Sequence, residues 1–232
     1  MPLTQEMTMM TYPTAEQRLD LSNIRQQLNS AVISDCLDAI GLRHQCLGAG
    51  LSMLMPDQII VGYAFPVTIE RVEAIPEHPF AGLVAALDAI GADEVFITAT
   101  GRANDIAVWG ELLSTASMNR GAAGAITDGL VRDTRAIREL GFPVCSAGTI
   151  PYDSMGRHEI SAHKVPVKID GVEIQPGDLV VADSDGVVVV PRALVDEVIA
   201  AALAKRSSER EFKAAVRDGM SATNAFATFK VL

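Results

Sequence analysis

The stretch Trp109–Thr134, WGELLSTASMNRGAAGAITDGLVRDT, decides how the rest of the chain is read. Gly110-Glu111-Leu112-Leu113 opens a helix predicted to reach Asn119, and the first amides of a helix have no partners inside it. Together with the helix dipole, such a start binds carboxylates or phosphates. Gly121–Gly124 then turns the chain into a strand, AGAITDG, and Arg132-Asp133 closes the strand and the turn after it. Twenty residues, positions 112 to 131, separate Glu111 from Arg132. The glycines do not have dinucleotide-fingerprint spacing and no helix follows them directly, which argues against a nucleotide site.

Arg132-Asp133 has two readings. An adjacent Arg and Asp at a strand end make a surface ion pair or a helix cap. The sharper reading is a site: Arg132 binds a carboxylate through two parallel hydrogen bonds, and Asp133 supplies one hard oxygen ligand to Mg²⁺, an ion that keeps several waters. A 2-oxo acid would place its carboxylate on Arg132 and the helix-start amides and its keto oxygen on the metal, which would stabilise the enolate formed as a C–C bond breaks. Glu111 also has a bland reading, a first-turn acid that suits the dipole.

Upstream, Thr14 with Gln17 predicts a cap for a helix over residues 15–28, and Asn29-Ser30 leads into a second helix ending at Gly41. Asp35 on that helix reads as a solvated or capping residue. Ile59–Arg71 predicts a bent strand at a barrel or sandwich edge because it contains Gly62 and Pro66. A turn at 76–79, a helix to Ala89 and a strand from Glu94 follow. Downstream, Thr134–Leu140 is helical and stops at Gly141-Phe142-Pro143. Pro151–His163 is a polar loop bordering the pocket mouth, where Arg157 is a candidate for a distal carboxylate. Val165–Ile174 and Gly177–Pro191 are strands with turns between them. Asp178, Asp183 and Asp185 read as turn carboxylates rather than a metal cluster. Residues 192–217 form one long helix or two, with a docked tail from Ala225.

Length allows one large domain, and runs rich in Ala, Val, Ile and Gly indicate layered α/β architecture. We read 1–29 as an N-terminal helical extension, 30–191 as the α/β core and 192–232 as a C-terminal helical arm. A net charge of −10 argues against nucleic acid as a partner. The N-terminal segment lacks the basic and apolar parts of a signal peptide, and no apolar run reaches membrane length, so no membrane role is expected. Cys36, Cys46 and Cys145 are odd in number and widely spaced, which suits a reducing cytoplasm.

GELLSTA, then RG, then ITDGLVRD closely resembles the class II pyruvate aldolases that cleave 4-hydroxy-4-methyl-2-oxoglutarate and 4-carboxy-4-hydroxy-2-oxoadipate. This family also contains the non-enzymatic regulator of ribonuclease E. The resemblance runs from about Ser30 to Gly219 and includes SAVISDCLDAIG and VPVKIDGVEIQPGDLVVADSDGVVVVP. It implies an α/β/β/α sandwich of the swivelling-domain type. It implies that the backbone amides of Gly110, Glu111, Leu112 and Leu113, together with Arg132, hold the pyruvyl group, that Asp133 holds Mg²⁺, Mn²⁺ or another divalent ion, and that Glu111 orients a water on that ion. Most aldolases of the family have Asp where this chain has Glu111. The resemblance further implies a homotrimer or hexamer with sites at subunit interfaces, completed by an acidic residue matching Asp35 and by one from a neighbouring chain near Glu209, with Glu211 as the alternative match. The expected function is a lyase releasing pyruvate from a 4-hydroxy-2-oxo acid, with oxaloacetate decarboxylation as a side activity. The alternatives are a regulator that binds an RNA-degradation enzyme and a lyase for another hydroxy-oxo or sugar acid. Arg132 and Asp133 together favour the enzyme.

Overall fold

Val187–Val190 has no polar side, so both faces of the strand it forms must be covered. The computed structural model, which describes residues 19–231, meets that demand with a curled sheet that has helices outside it and a filled interior. The chain begins with α1 (Leu21–Gln27) and α2 (Ser30–Ala39). Asp20 and Asn29 cap them by accepting from the amides of Asn23 and Val32. Thr14 and Gln17 lie outside the described residues, and the helix expected over 15–28 is described only from Leu21. The strands of the main sheet are β1 (Ser52–Met53), β2 (Ile60–Arg71), β3 (Glu94–Ala99), β5 (Gly124–Thr127), β7 (Val144–Ser146), β9 (His158–His163), β12 (Leu179–Asp183) and β13 (Gly186–Val190).

Their order is β1-β7-β5-β3-β2-β12-β13, with β9 also on β2. The β2, β3, β5 and β7 neighbours are parallel. Cys46 bridges Val188 on the free edge of β13, while β1 pairs with β7 at the opposite edge. The short segment between Cys46 and β1 thus joins the two edges, and the sheet is nearly closed. Side chains alternate across it. Val61, Leu179, Val181, Val188 and Val190 face α1, α2 and α6 (Val195–Arg217). Phe65, Phe96, Ala125 and Val144 face α3 (Ala81–Ala89), α4 (Glu111–Asn119) and α5 (Thr134–Leu140). Ile60, Val95, Ile97, Val180 and Val189 point inward, where the hairpin of β10 (Val167–Ile169) and β11 (Val172–Ile174) adds its own apolar face. This is the α/β/β/α layering.

Two local expectations change, and one left open is settled. β2 is a central strand, with β3 on one side and β12 then β9 on the other. Pro66 is tolerated there because it falls between the last β12 partner, Tyr63, and the first β9 partner, Val67, where no ladder bond is asked of its nitrogen. The expected polar loop 151–163 ends in β9 instead. The stretch 192–217 is one continuous helix after a short 3₁₀ turn at Arg192–Leu194, and α7 (Ala222–Phe229) folds back on it through buried Ala225. Among the described residues no helix is long and apolar enough to cross a membrane. All three cysteines are free, and burial pushes the Cys145 thiol up to about 12.

One ion pair ties the interior hairpin to the loop that leads into the 109–134 stretch. Arg102 grips Asp170 with Nε (3.2 Å) and Nη2, and Asp170 also accepts the Gly48 amide at 2.9 Å. The hydrogen bond from Arg102 holds the Asp170 carboxyl below its ordinary value. A depressed folded-state value means the folded chain binds fewer protons than the unfolded chain in the window between the two values. The stabilisation is therefore complete above about pH 4, the ordinary carboxylate value, and drains away as pH falls through the depressed one. Arg102→Gln should lower the melting temperature at pH 7 and flatten its fall below about pH 4. Thermal melts across that range check this, and an acid limb as steep as the wild type would remove the pair from the account.

Candidate active site

A second, three-stranded parallel sheet builds the site. β4 (Ala107–Trp109), β6 (Leu130–Val131) and β8 (Gly148–Thr149) pair side by side, with Trp109 opposite Val131 and Val131 opposite Thr149. The residues that follow the first two strands, Gly110 and Arg132, consequently emerge together at their C-terminal ends. α4 starts at once after Gly110, and α5 starts after Asp133. Open parallel sheets bind ligands at this kind of place. Sequence reasoning missed β4 and the separation of Leu130–Val131 from the 124–127 strand. Both segments are too short for a periodic pattern to register.

Trp109 pins the end of β4. Its ring lies 4.9 Å from that of Phe96 and 6.1 Å from that of Phe142, and its Nε1 donates to Ser114 Oγ at 2.8 Å. Ser114 Oγ in turn donates to the Gly110 carbonyl at 2.9 Å. Fully buried Ser114 therefore leaves no unmet polar atom, and the first turn of α4 is locked to the strand before it. Below this, the buried Asp128 carboxylate accepts the Thr100 and Arg102 amides and the Thr100 hydroxyl, fixing the loop after β3 to the loop after β5.

α4 has no side-chain cap at Gly110, and the Ser114 amide is the first to close onto the Gly110 carbonyl, at 3.1 Å. The amides of Leu112 and Leu113 precede that first helical bond. Asp133 occupies the position before α5 but has a left-handed backbone (φ 55°) and does not cap that helix. Asp is one of the few residues that tolerates this conformation. Its Oδ2 instead turns toward the neighbouring helix start, 3.3 Å from the Glu111 amide and 3.6 Å from Arg132 Nε. Arg132 Nη1 lies 3.4 Å from Asp153. These contacts are longer than the roughly 2.7–2.9 Å of a tight charge-assisted bond, and all three side chains are about a third or more exposed, so each pair is worth at most about 1 kcal/mol. The guanidinium fork is loosely held and can exchange Asp153 for a ligand carboxylate at little cost.

Gly110, Leu112, Leu113, Arg132 and Asp133 all line one cleft of about 360 Å³, joined by Asp153 and Ser154. Glu111 contributes its amide beside Asp133, while its side chain is outside the cleft lining. Within the single chain Asp35 and Glu209 lie apart from the cleft: Asp35 pairs with Lys205 between α2 and α6, and Glu209 pairs with Arg206 and Lys213 along α6. Arg157 stacks over Tyr152 and donates to the Asp153 carbonyl, away from the cleft lining. Asp178 and Asp183 are turn carboxylates as read, accepting the amides of Gln175 and Arg192 and of Ser30 and Asp185. Asp153 was not singled out from sequence. The apolar wall formed by Phe80, Leu83, Val84 and Leu87 was also missed, because α3 carries no polar signal pointing to a site.

The donor set bears on a metal. No group of three or more His, Cys, Asp or Glu side chains gathers at metal-binding range among the described residues. A closed zinc-type cage is therefore not built by them. The hard carboxylate of Asp133, opening onto the cleft, fits an ion of the Mg²⁺ or Mn²⁺ kind that keeps most of its waters.

Residues 30–189 match the profile of the RraA-like family, described as Aldolase/RraA. Protein DlpA of Legionella pneumophila is 30% identical over 92% of this chain, which spans only 35% of that protein's length. A protein of Halalkalibacterium halodurans provisionally named 4-hydroxy-4-methyl-2-oxoglutarate aldolase is 30% identical, covering 91% of this chain and 96% of its own. The crystal structure of Streptomyces coelicolor RraAS2, described as an unusual member of the RNase ES inhibitor RraA protein family, superposes with a TM-score of 0.75. It is 28% identical, over 88% of this chain and 98% of that one.

Gly110 has an extended backbone that any residue adopts, so its role lies in space rather than in conformation. A Cβ there would stand 2.7 Å from Asp133 Oδ2 and 3.3 Å from Arg132 Cγ. Gly110→Ala should displace the Asp133 carboxylate while costing no more than about 1–3 kcal/mol of stability. A crystal structure and a urea melt of the variant check this. A carboxylate left in place would show that close approach is not what the glycine provides.

Proposed function

The chain belongs to the RraA-like Aldolase/RraA family, and from that premise we propose that it is a divalent-cation-dependent lyase that cleaves a 4-hydroxy-2-oxo acid by retro-aldol reaction and releases pyruvate. The observation that carries this reading is the convergence of Arg132, Asp133 and the open amides of Leu112 and Leu113 on one cleft. Arg132 takes the substrate carboxylate through both arms of its fork, and the two amides at the start of α4 add donors to the same group. That fixes the reacting bond relative to Asp133. Glu111 heads α4 with its amide beside Asp133; its carboxylate, outside the cleft lining in the free chain, turns in over the bound substrate and takes up the C4 hydroxyl proton through a water. The C3–C4 bond then breaks, its electron pair stays on the pyruvyl half, and C3 is reprotonated. A divalent cation held by Asp133, Mg²⁺ or Mn²⁺, supplies electrophilic stabilisation of the charge that builds on the keto oxygen. Oxaloacetate decarboxylation is the companion activity, because loss of CO₂ leaves the same charge on the same half-molecule. The active assembly is a trimer or hexamer; exposed Val216 and Phe226 on the C-terminal helices, with Met220 in the connection between them, support subunit contacts there.

A second reading, a non-catalytic regulator of an RNA-degradation enzyme, is favoured by the superposition on RraAS2. Oxaloacetate distinguishes the two. Purified protein with Mg²⁺ should release pyruvate above the free-metal rate, EDTA should abolish this, and Asp133→Ala should lower it by at least about 100-fold, on the scale of a lost electrostatic stabiliser. Full activity in that variant would remove Asp133 as the cation's ligand, and no rate at all in the wild type would favour the regulator. Arg132→Lys should weaken competitive inhibition by pyruvate by about 10-fold or more, since Lys cannot make the two-pronged contact. An unchanged inhibition constant would take Arg132 out of the site.

A further inference from the structure

The retro-aldol chemistry uses Arg132 and Asp133 but not Asp153, the third charged side chain that lines the cleft. Asp153 Oδ2 lies 3.4 Å from Arg132 Nη1, while Asp133 faces Nε of the same guanidinium at 3.6 Å. The loop that carries Asp153 is tied down at several points. The Ile150 amide donates to the Val131 carbonyl at 3.0 Å, and the Tyr152 carbonyl accepts the Ala107 amide at 2.9 Å, which joins the loop to β6 and β4. The Asp153 carbonyl accepts Arg157 Nη1 at 2.9 Å, and the Arg157 guanidinium stacks on the Tyr152 ring. The Met155 amide donates to Asp153 Oδ1 at 3.3 Å, so one carboxylate oxygen closes the turn and the other faces Arg132. Each of these bonds lies within one chain.

A substrate carboxylate that takes both arms of the Arg132 fork needs Nη1, the nitrogen that Asp153 faces. The two carboxylates therefore compete for one donor. The competition is mild, because the contact is long and both side chains are partly exposed. It acts on substrate and pyruvate alike, since both present the same carboxylate. Weakening the two equally raises the substrate concentration needed and lets the product leave sooner, without changing the step in which the C–C bond breaks. We propose that Asp153 sets the affinity of the site. It holds Nη1 when the cleft is empty and gives way to the ligand carboxylate, so substrate and pyruvate are both bound less tightly than Arg132 alone would bind them. This rests on the lyase reading's placement of the substrate carboxylate on Arg132.

Asp153→Asn tests this, because its amide oxygen can still accept the Met155 amide while the charge is gone. Calorimetric titration with pyruvate in Mg²⁺ should show binding tightened by about 2- to 5-fold, the range of a partly exposed ion pair, and the KM for oxaloacetate should fall with it. Asp153→Glu keeps the charge on a longer arm and should bind pyruvate as the wild type does, whereas a residue that only shapes the loop would be disturbed by both changes. Pyruvate bound equally or more weakly by Asp153→Asn, or as tightly by Asp153→Glu as by Asp153→Asn, overturns the proposal. Oxaloacetate turnover separates this outcome from the lyase reading. Turnover by the wild type without tightening in Asp153→Asn overturns the competition alone. Tightening without turnover in any of the three proteins overturns the lyase reading and leaves Asp153 as the competitor of a bound carboxylate. Neither binding nor turnover in any of them overturns both.

Discussion

The cleft depends on how closely the backbone at Gly110 approaches the Asp133 carboxylate. With a Cβ at position 110 the two would collide. Without it, the head of α4 and the residue before α5 come together, and the Glu111 amide reaches Asp133 Oδ2 at 3.3 Å. Two further features serve that approach. The parallel pairing of Trp109 with Val131 brings the two strand ends side by side, and the left-handed backbone of Asp133 turns its carboxylate away from its own helix. An ordinary capping Asp would have closed onto α5 and left the cleft without an acidic group at this point.

The surrounding fold is built to hold that small sheet still. Its strands are two or three residues long and would not persist alone. They are held because Trp109 and Val131 are buried against Phe96, Phe142 and Ile137 on the outer face of the main sheet. Burying one such aliphatic or aromatic side chain is worth about 1.5–3 kcal/mol, whereas an exposed pair such as Arg135–Glu139 contributes well under about 1 kcal/mol. Packing therefore positions the site, and the ion pairs around it are adjustable. That division suits binding, since the loosely held guanidinium of Arg132 is the group a ligand carboxylate must capture.

The same division explains the contrast between the acidic residues. Asp128, Asp178 and Asp183 are saturated by backbone amides, so their bonding capacity is used by the chain itself. Burial raises Asp178 despite those bonds, as expected of a carboxyl held for structure in a turn. Asp133 and Asp153 have only long contacts and open onto the cleft. Among these acidic side chains, availability rather than number separates the site from the scaffold.

The layered α/β class, most of the longer elements and the importance of the 109–134 stretch were legible in the chain alone. These are local properties: β-rich runs between turn residues in Gly177–Pro191, helical spacing in α2 and α6, Asn29 and Gly141 at helix ends, and an open helix start at Gly110 followed by a strand closed with Arg-Asp. Gly110, Leu112, Leu113, Arg132 and Asp133 could also be grouped in advance, because the family resemblance lies in those residues. The central place of β2 could not, since a Pro in a strand reads as an edge until two successive partners, β12 and β9, are seen to share one side of it. Folding in three dimensions was likewise needed to bring Asp153 to Arg132 and to raise α3 as the apolar wall of the cleft. Those contacts join segments far apart in the chain, and no periodicity within a segment records which distant surface it will face.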